Sequence, residues 1–194
     1  MHRQIIIIRH GEGNHLTEGF FSSRPDHPNY RPAHLTTKGR QQAIRAGQKL
    51  LEAGIHDRDV GAVLISPLPR TVETADGIFA GGHIQRSKGV IEPLLTEIGL
   101  GDLEGTSTQG WIDRGYGFTD FSHGHTYGGE TNEDVANRMS TLLAKIQTTY
   151  TTGHIIAVTH ALPAYELSGM LGPSKVELGV ASPLFLTLDE RRSK

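Results

Sequence analysis

"IIIIRHGEG", residues 5–13, is the stretch whose reading decides the fold. Four consecutive β-branched residues bounded by charge and glycine read as a strand buried on both faces, and such strands belong to parallel sheets covered by helices. The run ends on Arg9 and His10, which therefore stand where the strand leaves the sheet. In open α/β sheets that edge, beyond the carboxyl ends of the strands, is where ligands bind.

Two later runs repeat the pattern. "GAVLIS" (61–66), stopped by Pro67, and "HIIAVTH" (154–160) read as further buried strands, and "PLFLTLDE" (183–190) as a last edge strand followed by a basic tail. Helical periodicity fills the intervals. "LTTKGRQQAIRAGQKLLEAG" carries a Thr36 or Thr37 cap, an apolar face of Ala43, Ala46, Leu50 and Leu51, and Gly54 as a stop. "RTVETADGIFA" (70–80) follows the second strand, with Arg70 in its first turn, and "ALPAYELSGML" follows the third. In "TNEDVANRMSTLLAKIQTTY", Thr131 and Asp134 have capping-box spacing, and Val135, Met139, Leu142, Leu143 and Ile146 form the apolar stripe. Strands alternating with helices predict an α/β three-layer sandwich, a mostly parallel sheet with helices on both faces.

Two stretches obey neither period. Residues 14–35 form a polar loop rich in proline and histidine, too long for a plain connector, and residues 99–129 are glycine-rich with scattered aromatics, only "TQGWID" being weakly helical. Both are expected to form a small irregular cap. The piece "HIQRSKGVIEPLLTEIGLGDLEG" reads as a short strand, a turn and an extended segment leading to Glu97.

The 194 residues suit one domain spanning 1–194, the cap segments included. Hydrophobic residues at 36% and charged residues at 21% match a soluble globular protein. No apolar run approaches membrane-spanning length, and a first strand starting near residue 4 leaves no room for a targeting segment, so a cytoplasmic location is expected. A net charge of −2 gives no global basic field for nucleic acid, so any anion site must be local. Zero cysteines exclude disulfides, thiolate catalysis and cysteine-type zinc sites.

The basic groups supply that local site. Arg9 and His10 end one strand, Arg70 lies just beyond a second, and His160 ends a third; a parallel sheet gathers all four on one edge. The helix after His160 directs free backbone N–H groups there too. Such a set describes a phosphate pocket needing neither metal nor cofactor, because fixed guanidinium groups match phosphate oxygens and stabilise the charge of phosphoryl transfer. A neutral imidazole at His10 can attack phosphorus to form a phosphohistidine. Glu97 is the candidate acid for the leaving alkoxide, which requires its carboxyl to be protonated beside the phosphate dianion, and it can then take a proton from the water that attacks the phosphoenzyme.

"RHGE", "LTTKGRQQA", "SPLPRTVETA", "LLTEIGLGDLEG", "GGETNEDVANR" and "VTHA" occur in an order that resembles the histidine phosphatase superfamily, the phosphoglycerate mutase-like group, over nearly the whole chain. The resemblance implies an α/β sandwich, a small phosphorylated substrate and a phosphohistidine mechanism. His10 would be the nucleophile, Arg9, Arg70 and His160 would hold the phosphoryl group, and Glu97 would be the proton donor. The chain departs from the family where threonine and asparagine are frequent, carrying Gly13 and Leu16, so Asn14 or His15 would substitute as substrate contacts. Ala161 replaces a usual glycine and keeps its N–H available.

The leading expectation is a metal-independent phosphatase. Mutase-type transfer and a phospho-ligand binding protein without turnover are its rivals, and 194 residues with a short tail favour hydrolysis over the more extensive lid a mutase needs. Other polar residues have plainer readings. Glu12 is assigned no chemistry. His123 and His125 read as a polar loop rather than metal ligands. Arg24 and Arg31 read as solvated loop residues before contacts to a second anion, and Trp111, Tyr116, Phe118 and Phe121 suit cap packing as well as a substrate mouth.

Overall fold

The computed structural model describes residues 2–117 and 120–188. Phe118, the end of the expected last strand at 189–190 and the basic tail lie outside them. In chain order the elements are β1 (Gln4–Arg9), α1 (Asn14–Glu18), α2 (Thr37–Glu52), β2 (Val60–Ile65), α3 (Pro69–Gly82), β3 (Gly89–Ile91), α4 (Gln109–Ile112), α5 (Asn132–Thr149), β4 (His154–Thr159), α6 (Ala161–Leu171) and β5 (Pro183–Thr187), joined in places by single 3-10 turns.

The sheet order is β3-β2-β4-β1-β5, so β4, made last of the central three, sits between β1 and β2. Pairings β1–β4, β2–β4 and β2–β3 are parallel, and β5 closes the β1 edge antiparallel. The isoleucine run shows why it is apolar throughout. Ile5 and Ile7 face a core shared with Val135, Met139 and Leu142 of α5 and Leu162 and Leu167 of α6, whereas Ile6 and Ile8 face Ala46 and Leu50 of α2 and Ala75, Ile78 and Phe79 of α3. All four isoleucines are fully buried. At about 1.5–3 kcal/mol for each buried side chain of this size, one short strand contributes on the order of 10 kcal/mol of apolar burial.

Local chemistry sets the helix boundaries. Thr36 caps α2 by accepting from the Gly39 N–H, and Gly54 beyond its end takes φ +78°. Thr131 and Asp134 form the capping box of α5. Pro69 occupies the first turn of α3, where its missing N–H costs no hydrogen bond. Among the described residues no helix is long and apolar enough to cross a membrane.

The two irregular segments pack on each other above the strand ends. Glu104, fully buried, accepts from the Ser23 N–H (2.8 Å), the Ser23 hydroxyl (2.6 Å) and the Arg24 N–H (3.2 Å). Trp111 is buried between Phe121 (ring centroids 5.0 Å apart, stacked) and Tyr116 (4.5 Å), with Phe21 edge-on. These aromatics build the cap.

Candidate active site

The β4 insertion puts the carboxyl ends of β1, β2 and β4 side by side. Arg9, His10 and Arg70 line one cavity of about 430 Å³, together with His15, Glu97 and Ala161. His160 contributes no wall of its own. It is fully buried behind His10, with ring centroids 5.3 Å apart. Glu97 is half-buried, and its Oε2 accepts from the Ala161 N–H at the start of α6 (3.3 Å).

Backbone geometry presents His10. Gly11 approaches the first turn of α2 so closely that a Cβ there would lie 2.5 Å from the Gly39 carbonyl oxygen, and a Cβ on Gly39 would lie 2.1 Å from the Glu12 oxygen. Glycine at both positions is thus a steric requirement. The His10 Nδ1 lies 2.7 Å from the Gly11 carbonyl oxygen, which only accepts, so Nδ1 carries the proton and Nε2 keeps its lone pair. The Gly11 N–H donates to Thr74 Oγ1 (3.0 Å), one turn beyond Arg70 on α3. Glu12 clamps the loop: its carboxylate accepts from Thr36 Oγ1 and Lys38 Nζ, while its N–H donates to Gln42.

The electrostatics favour an anion. Burial, reinforced by Arg70, holds the His10 imidazole well below its ordinary pKa, and burial with Arg70 and His10 does the same to His160. His15 is pulled down to about 3 by burial and then by Arg70 and Arg9. All three are uncharged at neutral pH. Burial lowers Arg70 to about 10, with Glu97 opposing the shift, and it stays charged. Several donors or acceptors here are unpaired: Arg70 Nε and Nη1, Arg9 Nε, His15 Nδ1 and His160 Nδ1 are buried without a hydrogen-bond partner. Buried polar groups are normally satisfied, and the unsatisfied nitrogens of Arg9, Arg70 and His15, residues that line one cavity, suit a ligand rich in oxygen.

Asn14 stands apart. Its amide donates to Glu18 (3.2 Å) and accepts from the His34 N–H (3.0 Å), and it is absent from the cavity wall, which corrects its expected place as a substrate contact. His15 does reach the cavity, and Leu16 adds an apolar rim. Arg24 is paired with Asp26, and Arg31 with Glu18 while lying over the Phe20 ring. His125 is bonded to Asp134, His123 packs on Tyr116, and among the described residues no cluster of His, Asp or Glu has metal-binding geometry.

Ser66 and Thr74 escaped the sequence reading. Ser66 Oγ lies 2.7 Å from His160 Nε2. A single serine at a strand exit carries no periodic signal, whereas Thr74 was accessible, being four residues beyond Arg70 and hence on the same helix face.

Comparison with known proteins agrees with this architecture. Residues 5–168 match the model of the histidine phosphatase superfamily, branch 1. A curated relative, phosphoglycerate mutase-like protein 2 of Arabidopsis thaliana, is 36% identical over 107 residues, covering 53% of this chain and 29% of that protein. The solved phosphoglycerate mutase of Bacillus anthracis superposes with a TM-score of 0.75 at 20% identity, over 94% of this chain and 86% of that one. A mycobacterial glucosyl-3-phosphoglycerate phosphatase complexed with VO3 gives 0.73 at 22% identity, over 95% and 92%.

Proposed function

Because the chain belongs to the histidine phosphatase superfamily, we propose that it is a metal-independent phosphatase that hydrolyses phosphate monoesters through a phosphohistidine at His10. The observation that carries this reading is the set of unpaired guanidinium nitrogens of Arg70 and Arg9 beside a neutral imidazole whose Nδ1 proton is already committed.

The substrate phosphoryl oxygens take the vacant donors of Arg9 and Arg70. Ser66 donates its hydroxyl proton to His160 Nε2, which keeps the proton on Nδ1, so that His160, although behind the cavity wall, offers that N–H to a phosphoryl group seated against His10. His10 Nε2 attacks phosphorus in line; the N–P bond forms as the P–O ester bond breaks, and Glu97 passes its proton to the departing oxygen. Water then attacks the phosphoenzyme and gives a proton to Glu97, the N–P bond breaks, and inorganic phosphate leaves with Glu97 protonated again. Fixed cations placed where charge spreads over the equatorial oxygens do the work that Mg²⁺ does in kinases.

The mutase outcome shares the first half-reaction, and the mutase-like relatives keep it in view. It requires the phosphoenzyme to survive until a second hydroxyl accepts the phosphoryl group. A panel of phosphate esters assayed on the wild type and on His10→Ala, with and without EDTA, tests the proposal. Turnover that needs His10 and survives the chelator supports it; turnover that persists in His10→Ala or is lost with EDTA overturns it. Faster formation of 2-phosphoglycerate from 3-phosphoglycerate and bisphosphoglycerate than of inorganic phosphate would assign the mutase reaction instead.

A further inference from the structure

We propose that the site selects monoesters of apolar, ring-bearing or hydrocarbon alcohols and phenols that carry no second anionic group, an inference that rests on the phosphatase reading above. The cavity divides by chemistry. Among the described residues its only arginines or lysines are Arg9 and Arg70, both at the strand ends, where a single phosphoryl group uses them up. Beyond them the wall is mostly apolar, carried by side chains such as Leu16, Phe20, Ile112 and Phe121, with Ser22 and Thr108 as uncharged polar members. At about 430 Å³ the space is well within the range of small-molecule sites and much larger than a phosphate alone would fill.

Two further observations point the same way. Leu16 and Ile112 are among the few large apolar side chains left exposed, at 44% and 46%, and both stand on this rim, where water contact is costly unless a ligand covers them. The two described arginines of the 14–35 segment that could meet a second phosphate or a carboxylate are already paired: Arg31 with Glu18, stacked on Phe20, and Arg24 with Asp26. The rim instead carries a carboxylate, Glu177, whose field acts on Arg9. A substrate with a second negative group would bury it against hydrocarbon and near a like charge, which is unfavourable on both counts.

The test uses two esters alike at the reacting oxygen: 4-propylphenyl phosphate and the phosphate ester of 3-(4-hydroxyphenyl)propanoate, which differ in a remote carboxylate. The propyl ester is expected to have the higher kcat/KM by at least about tenfold, the scale on which an apolar pocket discriminates. Ile112→Lys and, independently, Leu16→Lys place a cation on the exposed rim and are expected to shrink or reverse that ratio. Hydrolysis of both esters at equal rates, or faster hydrolysis of the carboxylate, with His10→Ala inactive, overturns the assigned substrate class and leaves the phosphatase reading intact. A wild type that hydrolyses neither ester overturns both.

Discussion

The imidazole rings of His10 and His160 lie 5.3 Å apart, tilted by 59°, although 150 residues separate them. Ser66 holds the second ring through a 2.7 Å contact to Nε2, leaving Nδ1 as its buried, unpartnered nitrogen. Loss of the ring in His160→Ala should lower kcat by about 10²–10³-fold, the usual effect of removing one preorganised donor. Ser66→Ala keeps the ring and frees its orientation, so a drop of about tenfold, the worth of one hydrogen bond, is expected mainly in kcat. Steady-state kinetics on one good ester separates the two effects.

Arg70 is buried with two nitrogens unpaired, so it costs the empty protein stability that a bound anion returns. Arg70→Met should therefore abolish turnover while raising the unliganded melting temperature, the replacement of such a buried ion being worth about 1–4 kcal/mol. Orthovanadate should stabilise the wild type by about 2.7 kcal/mol at a hundred times its Kd, and Arg70→Met should show no such shift. Thermal denaturation with and without the anion reads both outcomes.

The three neutral histidines make stability depend on pH. Their folded pKa values are lowered, so the unfolded chain takes up protons below about 6.5 that the folded chain refuses, and stability present above that pH is lost as pH falls. Each should cost about 1 kcal/mol between pH 7 and 5.5. Urea unfolding of the wild type and of His15→Asn at the two pH values should show the variant losing less by one histidine's share.

The same shifts predict the rate profile. If His10 is the nucleophile proposed above, it is already neutral at pH 6 and does not gain activity by losing a proton near 6.5. The acid limb of kcat/KM should instead follow the second phosphoryl pKa of the substrate, near 6, and move when esters of different phosphoryl acidity are compared.

Glu104 ties the two cap segments together through Ser23 and Arg24. Glu104→Ala removes three hydrogen bonds to a buried carboxylate and should destabilise the protein by about 2–4 kcal/mol. Since the segments carry Phe20, Phe21 and Phe121 of the cavity wall, KM should rise as well.

Much of this architecture was legible in the chain because it is locally over-determined. Strands β1, β2 and β4 are covered on both faces and so are apolar along their length, and α2 and α5 announce their starts through Thr36 and the Thr131–Asp134 box. Arg9, His10, Arg70 and His160 could be gathered because each abuts such a strand. β3 was harder to read, being three residues long with Ile91 exposed at a sheet edge. The cap resisted reading because its single-turn helices owe their order to distant partners such as Ser23 and Glu104, 81 residues apart. Asn14 was misplaced for a related reason: a turn completed by His34 claims its amide.

The strand order carries a consequence for how the chain acquires its chemistry. With β4 wedged between β1 and β2, the first 150 residues leave β1 alone and β2 paired only with β3, with a gap where their shared hydrogen-bonding partner belongs. The pairing of Arg9 with Thr159 closes a very long loop, and contacts of that separation form slowly. During synthesis the edge proposed to bind phosphate is thus a late acquisition, withheld until the final quarter of the polypeptide has emerged and slotted into place.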